Sequence, residues 1–199
     1  MALKFKYNKS ALYELSQQLS VRQKALPTLK SKEAALRLEI KKIKDKALTY
    51  ETQLKQRLAE VKNLARLWVE FEEGLVKLKT ATYRTRVIAG VKIPLLDTLE
   101  FELAEISQYH KPDWFLDGIH ILEDLTRLRL LHQVAARATE ILEYARKKTT
   151  QKVNLYEKVQ IPEYQEAIRK IKRFLEDEEN LAKASQKILK KRSQKTVPA

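Results

Sequence analysis

Glycine is confined to the middle of this chain. The three glycines, Gly74, Gly90 and Gly118, fall within one 45-residue window, so the 73 residues before it and the 81 after it contain none. Because glycine costs a helix interior about 1 kcal/mol relative to alanine, the two glycine-free arms favour long helices. The middle window is where we expect the chain to reverse direction.

The first arm carries the apolar repeat of a coiled coil. Thirteen positions, spaced alternately three and four residues apart, are apolar at eleven places: Leu12, Leu15, Leu19, Arg22, Leu26, Leu29, Glu33, Leu36, Ile40, Ile43, Ala47, Tyr50 and Leu54. We call these positions the first seam. A stripe this narrow is typical of a left-handed coiled coil rather than of a globular helix. We expect a helix that is capped at Asn8 or Ser10 and mildly disturbed at Pro27.

The second arm has a weaker repeat that can pair with the first. Its positions are Ile121, Leu125, Leu128, Leu131, Ala135, Ala138, Leu142, Ala145, Thr149, Lys152, Tyr156 and Val159. A new register starts at Tyr164 and fades toward Leu189. Pro162 should kink or interrupt this arm, because proline removes a backbone hydrogen bond and clashes with the preceding turn.

The segment between the arms has the composition of extended chain. Residues 80–86 are rich in threonine, residues 87–94 are β-branched and closed by a proline, and TLEFEL follows at 98–103. This pattern predicts a short β-hairpin or a pair of extended segments. A second break is predicted at Lys111–Asp113, where Asp113 or Asp117 could cap the returning helix.

These patterns together predict an all-α fold. It is a long antiparallel two-helix coiled coil, or helical hairpin, decorated at one end by the short β-hairpin. The predicted parts are an N-terminal coiled-coil helix over 1–75, a middle segment over 76–116, and a C-terminal coiled-coil helix over 117–199, kinked near Pro162.

Charge is unevenly distributed. The net charge is +14, and residues 181–199 carry six basic groups and no acidic one, whereas Asp97–Asp124 holds eight acidic groups and one base. A strongly basic chain raises two alternatives, a basic coiled-coil scaffold and a nucleic-acid-binding protein. A basic leucine zipper needs a compact basic region that runs straight into one continuous seam, and the bases here are spread along both arms. Solvated helix flanks, or a charge-complementary socket for the basic end, account for them better.

The residues needed for catalysis do not form a recognisable pattern. The chain has no cysteine, and the spacing between His120 and His132 is not that of a helical metal pair. No glycine-rich phosphate loop is possible, so we expect no catalytic, cofactor or metal site. No apolar run approaches the ~20 residues that span a bilayer, and the first residues lack a secretory signal. We therefore expect a cytoplasmic protein that does not insert into a membrane.

Four aromatic residues lie where the arms meet the middle segment: Trp68, Phe71, Trp114 and Phe115. They are expected to pack as a hydrophobic plug. The alternative is a docking site for another protein.

Three fragments carry a family resemblance. VIAGVKIP at Val87–Pro94 resembles the central Gly-Val-x-x-Pro segment of the D subunit of V-type and A-type rotary ATPases. VNLYEKVQIP at Val153–Pro162 is similar to the C-terminal signature of that family, and the Leu-Lys-x-Lys-x-x-x-Leu pattern that runs from Leu29 to Leu36 resembles its N-terminal pattern. The fragments occur in the family's order and bracket nearly the whole chain.

The resemblance implies a non-catalytic shaft of a rotary motor. The implied partners are a hexamer of catalytic A and regulatory B subunits, the small F subunit of the stalk, and an adaptor subunit on the membrane ring. ATP chemistry would belong to the hexamer, and the shaft would be peripheral to the membrane.

Two contact regions follow from that resemblance. Contacts in the hexamer cavity are expected from Lys183, Lys187, Lys190, Lys191, Arg192, Leu12 and Leu15. Contacts at the membrane-side end are expected from Gly90, Val91, Ile93, Pro94 and Trp114.

Overall fold

The computed structural model describes residues 5–63, 68, 71, 74–103 and 114–195. Its elements are helix α1 (Lys9–Asn63), strands β1 (Val76–Ile88) and β2 (Val91–Leu103), helix α2 (Trp114–Asn154), a π-helical turn (Leu155–Gln160) and helix α3 (Ile161–Lys195). The strands pair antiparallel. The predicted fold class, all-α with a β-hairpin insert, is confirmed.

Some predictions concern residues that the structure does not describe. The predicted break at Lys111–Asp113, with the possible cap Asp113, lies outside the described residues, and so do most residues from 64 to 73.

The chain forms two compact units whose boundary crosses both long helical arms. Met1–Ser31 and Thr149–Ala199 make the first unit, and Lys32–Lys148 makes the second. The first unit has a core of Leu15, Tyr164, Ala167 and Ile171. The core of the second comprises Leu36, Ile40, Ile88, Ile93, Ala138 and Leu142. The sequence-based division at 75/76 and 116/117 follows chain order and stays a prediction.

The first seam is confirmed by burial. Every one of its thirteen side chains is buried or half-buried, including Arg22 and Glu33. The predicted cap is also confirmed, because the Ala11 backbone N–H donates to Asn8 Oδ1 at 2.7 Å. That bond satisfies a donor that the first helical turn leaves without a partner.

Within each unit the two arms run antiparallel. In the first unit, Gln18 contacts Tyr164 and Lys30 contacts Glu157, so rising numbers in α1 meet falling numbers in the second arm. In the second unit, Lys44 pairs with Glu143, and Val61 shares a small cavity wall with Ile121.

The second arm departs from the predicted register before Pro162. Lys152 and Val159 are exposed, and Val153 and Gln160 take the inward positions instead. The steps from Ala145 to Thr149 and Val153 are both of four residues, which shifts a coiled-coil register. The π-helical turn follows, where the Ile161 N–H bonds to Tyr156 O. This turn ends at Gln160, two residues before Pro162, while Pro27 lies inside a continuous α1.

The β-hairpin is longer than predicted. Each strand has 13 residues, and Pro94 lies inside β2 rather than ending it. Each strand of a two-stranded sheet is an edge strand, where a missing backbone N–H is tolerated. Ala89 and Gly90 connect the strands with φ of 47° and 77°, as a type I′ turn requires.

The tip of the hairpin packs on the helices instead of projecting from their end. Ile88 and Ile93, which flank the turn, are buried against Leu36, Ile40 and Leu142. Ile93 keeps only 1% of its surface exposed. The hairpin was predicted to lie at one end of the helical pair. That prediction was wrong for its tip, because the two isoleucines are buried against the middle of α1.

Candidate interaction surfaces

The last part of α3 is exposed on all sides. Every residue from 176 through 192 is exposed, and the five predicted cations lie on this stretch: Lys183, Lys187, Lys190, Lys191 and Arg192. We call residues 181–192 the basic end. It also exposes Leu181 (70%) and Ile188 (55%), which are seven residues apart on one helix face. The basic end therefore offers both charge and apolar surface to a partner.

Leu12 and Leu15 belong to the interior of the first unit. Leu15 is 7% exposed in the core with Tyr164 and Ile171, and Leu12 packs against that core. Their surface is occupied by this chain's own side chains. Contact of these two leucines with a partner stays a prediction.

The first unit also contains an aromatic contact that the sequence reasoning missed. The ring of Tyr7, which precedes the Asn8 cap, lies 5.0 Å from that of Phe174, and Phe5 packs 5.4 Å from Tyr7. Apolar residues just before a helix cap commonly pack back on a helix, so their position was an available signal.

Two of the family-like fragments contact each other at the π-helical turn. Lys30 Nζ lies 2.6 Å from Glu157 Oε1. Nearby, Arg22 Nε donates to Gln160 Oε1 at 2.8 Å and its guanidinium lies 4.5 Å from the centre of the Tyr164 ring. The lysine–glutamate pair is about half exposed, so it contributes under about 1 kcal/mol. It identifies Lys30 and Glu157 as facing positions of the two arms.

Two ion pairs along the helices shift pKa values. The hydrogen bond from Lys170 lowers the pKa of Glu166, and the same bond raises the pKa of Lys170. In α1, the hydrogen bond from Lys55 lowers the pKa of Glu51. The two residues of each pair lie four apart on one helix, which places them on the same helix face.

The predicted membrane-side residues occupy two separate places in the second unit. Val91 and Pro94 are half-buried and Ile93 is buried at the hairpin tip, where a methyl group on Gly90 would lie 3.8 Å from Lys32 Nζ. Trp114 lies at the start of α2. The α1 segment from residue 32 to 63 alone rises about 46 Å, so the five residues do not form one surface.

The four aromatic residues form one cluster, as predicted. The rings of Phe71 and Phe115 stack 4.6 Å apart, Trp114 lies 6.2 Å from Phe71, and Trp68 lies 5.1 Å from it. Gly118 is needed beside them, because a methyl group there would lie 2.9 Å from Phe71 Cε2. Among the described residues, the buried Trp68 Nε1 has no hydrogen-bond partner.

A groove in the second unit has mixed charge. It encloses about 510 Å³ between α1 and α2 and is lined by Gln53, Gln56, Arg57, Glu60, Asp124, Arg127 and Leu128. The carboxylates offset the arginines, so the groove does not select for an anion. In the parts of the chain described here, no three His, Cys, Asp or Glu side chains converge to hold a metal ion.

Comparison with known proteins gives a consistent family. The model of the family described as the ATP synthase D subunit matches residues 11–191. The D subunit of the V-type ATP synthase of Borreliella burgdorferi is 30% identical over 189 residues, 94% of each chain. The D subunit of the A-type ATP synthase of Thermococcus sibiricus is 29% identical over 195 residues, 89% of each chain.

The described helices are also too polar to cross a membrane, since none contains a sufficiently long apolar stretch. The chain's match to the family model extends from the start of α1 to the basic end of α3. The chain belongs to the family of ATP synthase D subunits and is a subunit of a V/A-type ATPase.

Proposed function

We propose that this chain is the central-stalk rotor shaft of its ATPase. It performs no catalysis itself and couples ATP hydrolysis or synthesis in the nucleotide-binding hexamer to rotation of the membrane ion-carrying ring. The observation that carries the proposal is the basic end of α3, fully exposed and attached to a helical pair with a packed core. Such an end can enter a carboxylate-lined cavity while the pair transmits torque.

Asymmetry of the helical pair supports this role. A shaft biases three catalytic sites differently only if it presents a different face to each of them. The first seam keeps one register, whereas the second arm is broken by the π-helical turn. Each conformation of the hexamer then prefers one orientation of the shaft, and this differential affinity links hydrolysis to rotation.

The proposed partners divide between the regions of the chain. The basic end meets the hexamer of catalytic A and regulatory B subunits through many weak charge contacts, which can break at every step. The small F subunit binds beside the shaft, and the aromatic cluster around Trp114 lies toward the adaptor on the membrane ring. The complex places this chain on the cytoplasmic side, peripheral to the membrane.

Reconstitution tests the proposal. The chain is mixed with the purified nucleotide-binding hexamer from its source, with and without the F subunit, and native mass and ATPase rate are recorded together. We expect one copy per hexamer and a changed ATPase rate. Absence of binding at low salt contradicts the proposal.

The net charge of +14 favours one second candidate, a nucleic-acid-binding coiled coil. Tight binding to DNA in the same low-salt buffer, with affinity falling steeply as salt rises, supports that candidate if the hexamer fails to bind. The rotor proposal expects the chain to bind the hexamer more tightly than it binds DNA in that buffer.

A further inference from the structure

The outer edge of β1 is open to solvent. Of its residues, 77–80 and 82–87 are exposed, whereas β2 has a half-buried or buried run at 93–96. The β2 side of the hairpin is therefore the more covered one. β1 pairs only with β2 among the strands of the described residues.

The regular part of this edge is Tyr83–Ile88. Register shifts interrupt the pairing between Leu78 and Thr80 and between Ala81 and Tyr83, and from Tyr83 to the turn it is continuous. This segment contains no proline, so its outward N–H and C=O groups are all present. Six residues extend about 20 Å, enough to pair with one short strand.

The two faces of this edge have different chemistry. Ile88 is buried in the core, and Arg86 Nη2 lies 4.0 Å from Glu39 Oε2, so this face of β1 is turned toward the helices. Arg84, on the same face, has its Nε 4.0 Å from Asp97 Oδ1 of β2. The side chains of Arg84 and Arg86 nevertheless stay 70% and 54% exposed. Alternation along a strand turns Tyr83, Thr85 and Val87 the other way. Tyr83 is 54% exposed and Val87 is 60% exposed.

Charge decides which strand fits here. β1 carries four basic residues and no acidic one. A second copy of β1 paired antiparallel would bring arginines against arginines, which is destabilising. Edge cations therefore oppose self-association, but they attract an acidic strand. Protection against self-association does not explain why Tyr83 and Val87 are exposed. Their side chains offer apolar contacts to the residues of an added strand.

We propose that the Tyr83–Ile88 edge of β1 docks an extended segment of another protein, in which acidic residues alternate with apolar ones, as a third strand. The backbone of β1 supplies hydrogen bonds, Arg84 and Arg86 pair with the acidic face, and Tyr83 and Val87 contact the apolar face. Strand addition of this kind takes affinity from the main chain and specificity from alternate side chains. The proposal does not depend on rotation, because it requires only this chain and the segment.

The test uses the full chain and a fluorescent synthetic peptide of about six residues in which Glu alternates with Val, which matches the length of this edge. Binding is followed by anisotropy at low salt. Two further peptides carry N-methyl groups on one or the other alternate set of amides. We expect saturable binding of the parent peptide and of only one methylated peptide, since only one set of amides faces β1. No saturable binding, or equal binding of all three peptides, overturns the proposal.

Charge variants test the assignment of the edge. Arg84→Glu with Arg86→Glu should weaken binding of the acidic peptide about tenfold or more and create binding of a peptide in which Lys alternates with Val. Lys41→Glu with Lys46→Glu, the same charge change on exposed α1 positions, should alter affinity less than about twofold. Equal losses in both variants would mean that net charge alone drives binding.

A third variant keeps the cations and the core. Tyr83→Ser with Val87→Ser removes exposed side chains only, so the melting temperature should stay close to that of the parent while peptide affinity falls severalfold. An unchanged affinity would show that Tyr83 and Val87 do not contact the peptide, which contradicts the proposed apolar face of the site.

Discussion

At the scale of single residues, the turn of the hairpin holds two residues with positive φ. Ala89 has φ of 47° and Gly90 has φ of 77°. Glycine adopts this region without steric cost, whereas a Cβ atom makes it unfavourable by roughly 1–2 kcal/mol. Space is not the obstacle at Gly90, because the nearest atom to an added methyl group is 3.8 Å away. The cost of substitution is therefore conformational.

Opposite substitutions at these two positions should shift stability in opposite directions. Gly90→Ala should lower the free energy of unfolding by about 1 kcal/mol, and Ala89→Gly should raise it by a smaller amount, since glycine is also more flexible when unfolded. Urea unfolding followed by circular dichroism measures both. If Gly90→Ala is as stable as the parent, the turn does not have this conformation.

The exposed pair in α3 gives a pH-dependent prediction. The pKa of Glu166 lies below its ordinary value of 4.5. The stabilisation that ionised Glu166 gives the folded chain through Lys170 therefore exists above pH 4.5, and it is lost as the pH falls through the pKa of Glu166 in the folded chain. The pKa of Lys170 lies above 10.5, so its share exists below that pH and is lost as pH rises through the folded value. NMR titration of the carboxyl carbon should show Lys170→Gln moving the pKa of Glu166 upward. An unmoved pKa would exclude Lys170 as the cause.

At the scale of elements, the two arms were predictable because their information is local and periodic. All thirteen positions of the first seam turned inward, and the weakening of the last register corresponds to the exposed residues after Leu175. The register near Val153 was missed, because the inward positions of this part of the arm face residues that are distant in sequence, as Gln160 faces Arg22. The exposed basic end was predictable from its composition.

The hairpin shows why the rest of the element structure could not be predicted. Its existence follows from β-branched residues and Gly90, but its placement depends on Ile88 and Ile93 finding Leu36 and Leu142. No local pattern encodes that pairing. For the same reason, Ile93 and Trp114 were assigned to one contact region although the fold holds them apart.

Anchoring of the hairpin tip can be measured with one buried and one exposed position. Ile93→Ala should lower the free energy of unfolding by about 2–5 kcal/mol, because it leaves a cavity in the second core. Val87→Ala, on the exposed side of β1, should change it by under about 0.5 kcal/mol. Urea unfolding compares the two variants. Equal effects would show that the tip is not packed on the helices.

At the scale of the whole molecule, charge at the end of α3 should govern assembly. Replacing Lys187, Lys190, Lys191 and Arg192 with Gln should weaken hexamer binding about tenfold at low salt and reduce its salt dependence, because four weak contacts are lost together. The matched control replaces Lys41, Lys46, Lys62 and Arg129, all exposed in the second unit. Titration calorimetry at two salt concentrations compares them. An affinity unchanged by the first set would exclude the basic end as a contact.

Direct observation of rotation tests the shaft role best. The chain has no cysteine, so Leu116→Cys, at a position that is 58% exposed, attaches a bead at one place. With the hexamer fixed to a surface and ATP added, we expect the bead to rotate in one direction with three dwell positions per turn, and not to rotate without ATP. A bead that stays fixed while the bound complex hydrolyses ATP would contradict the rotor role.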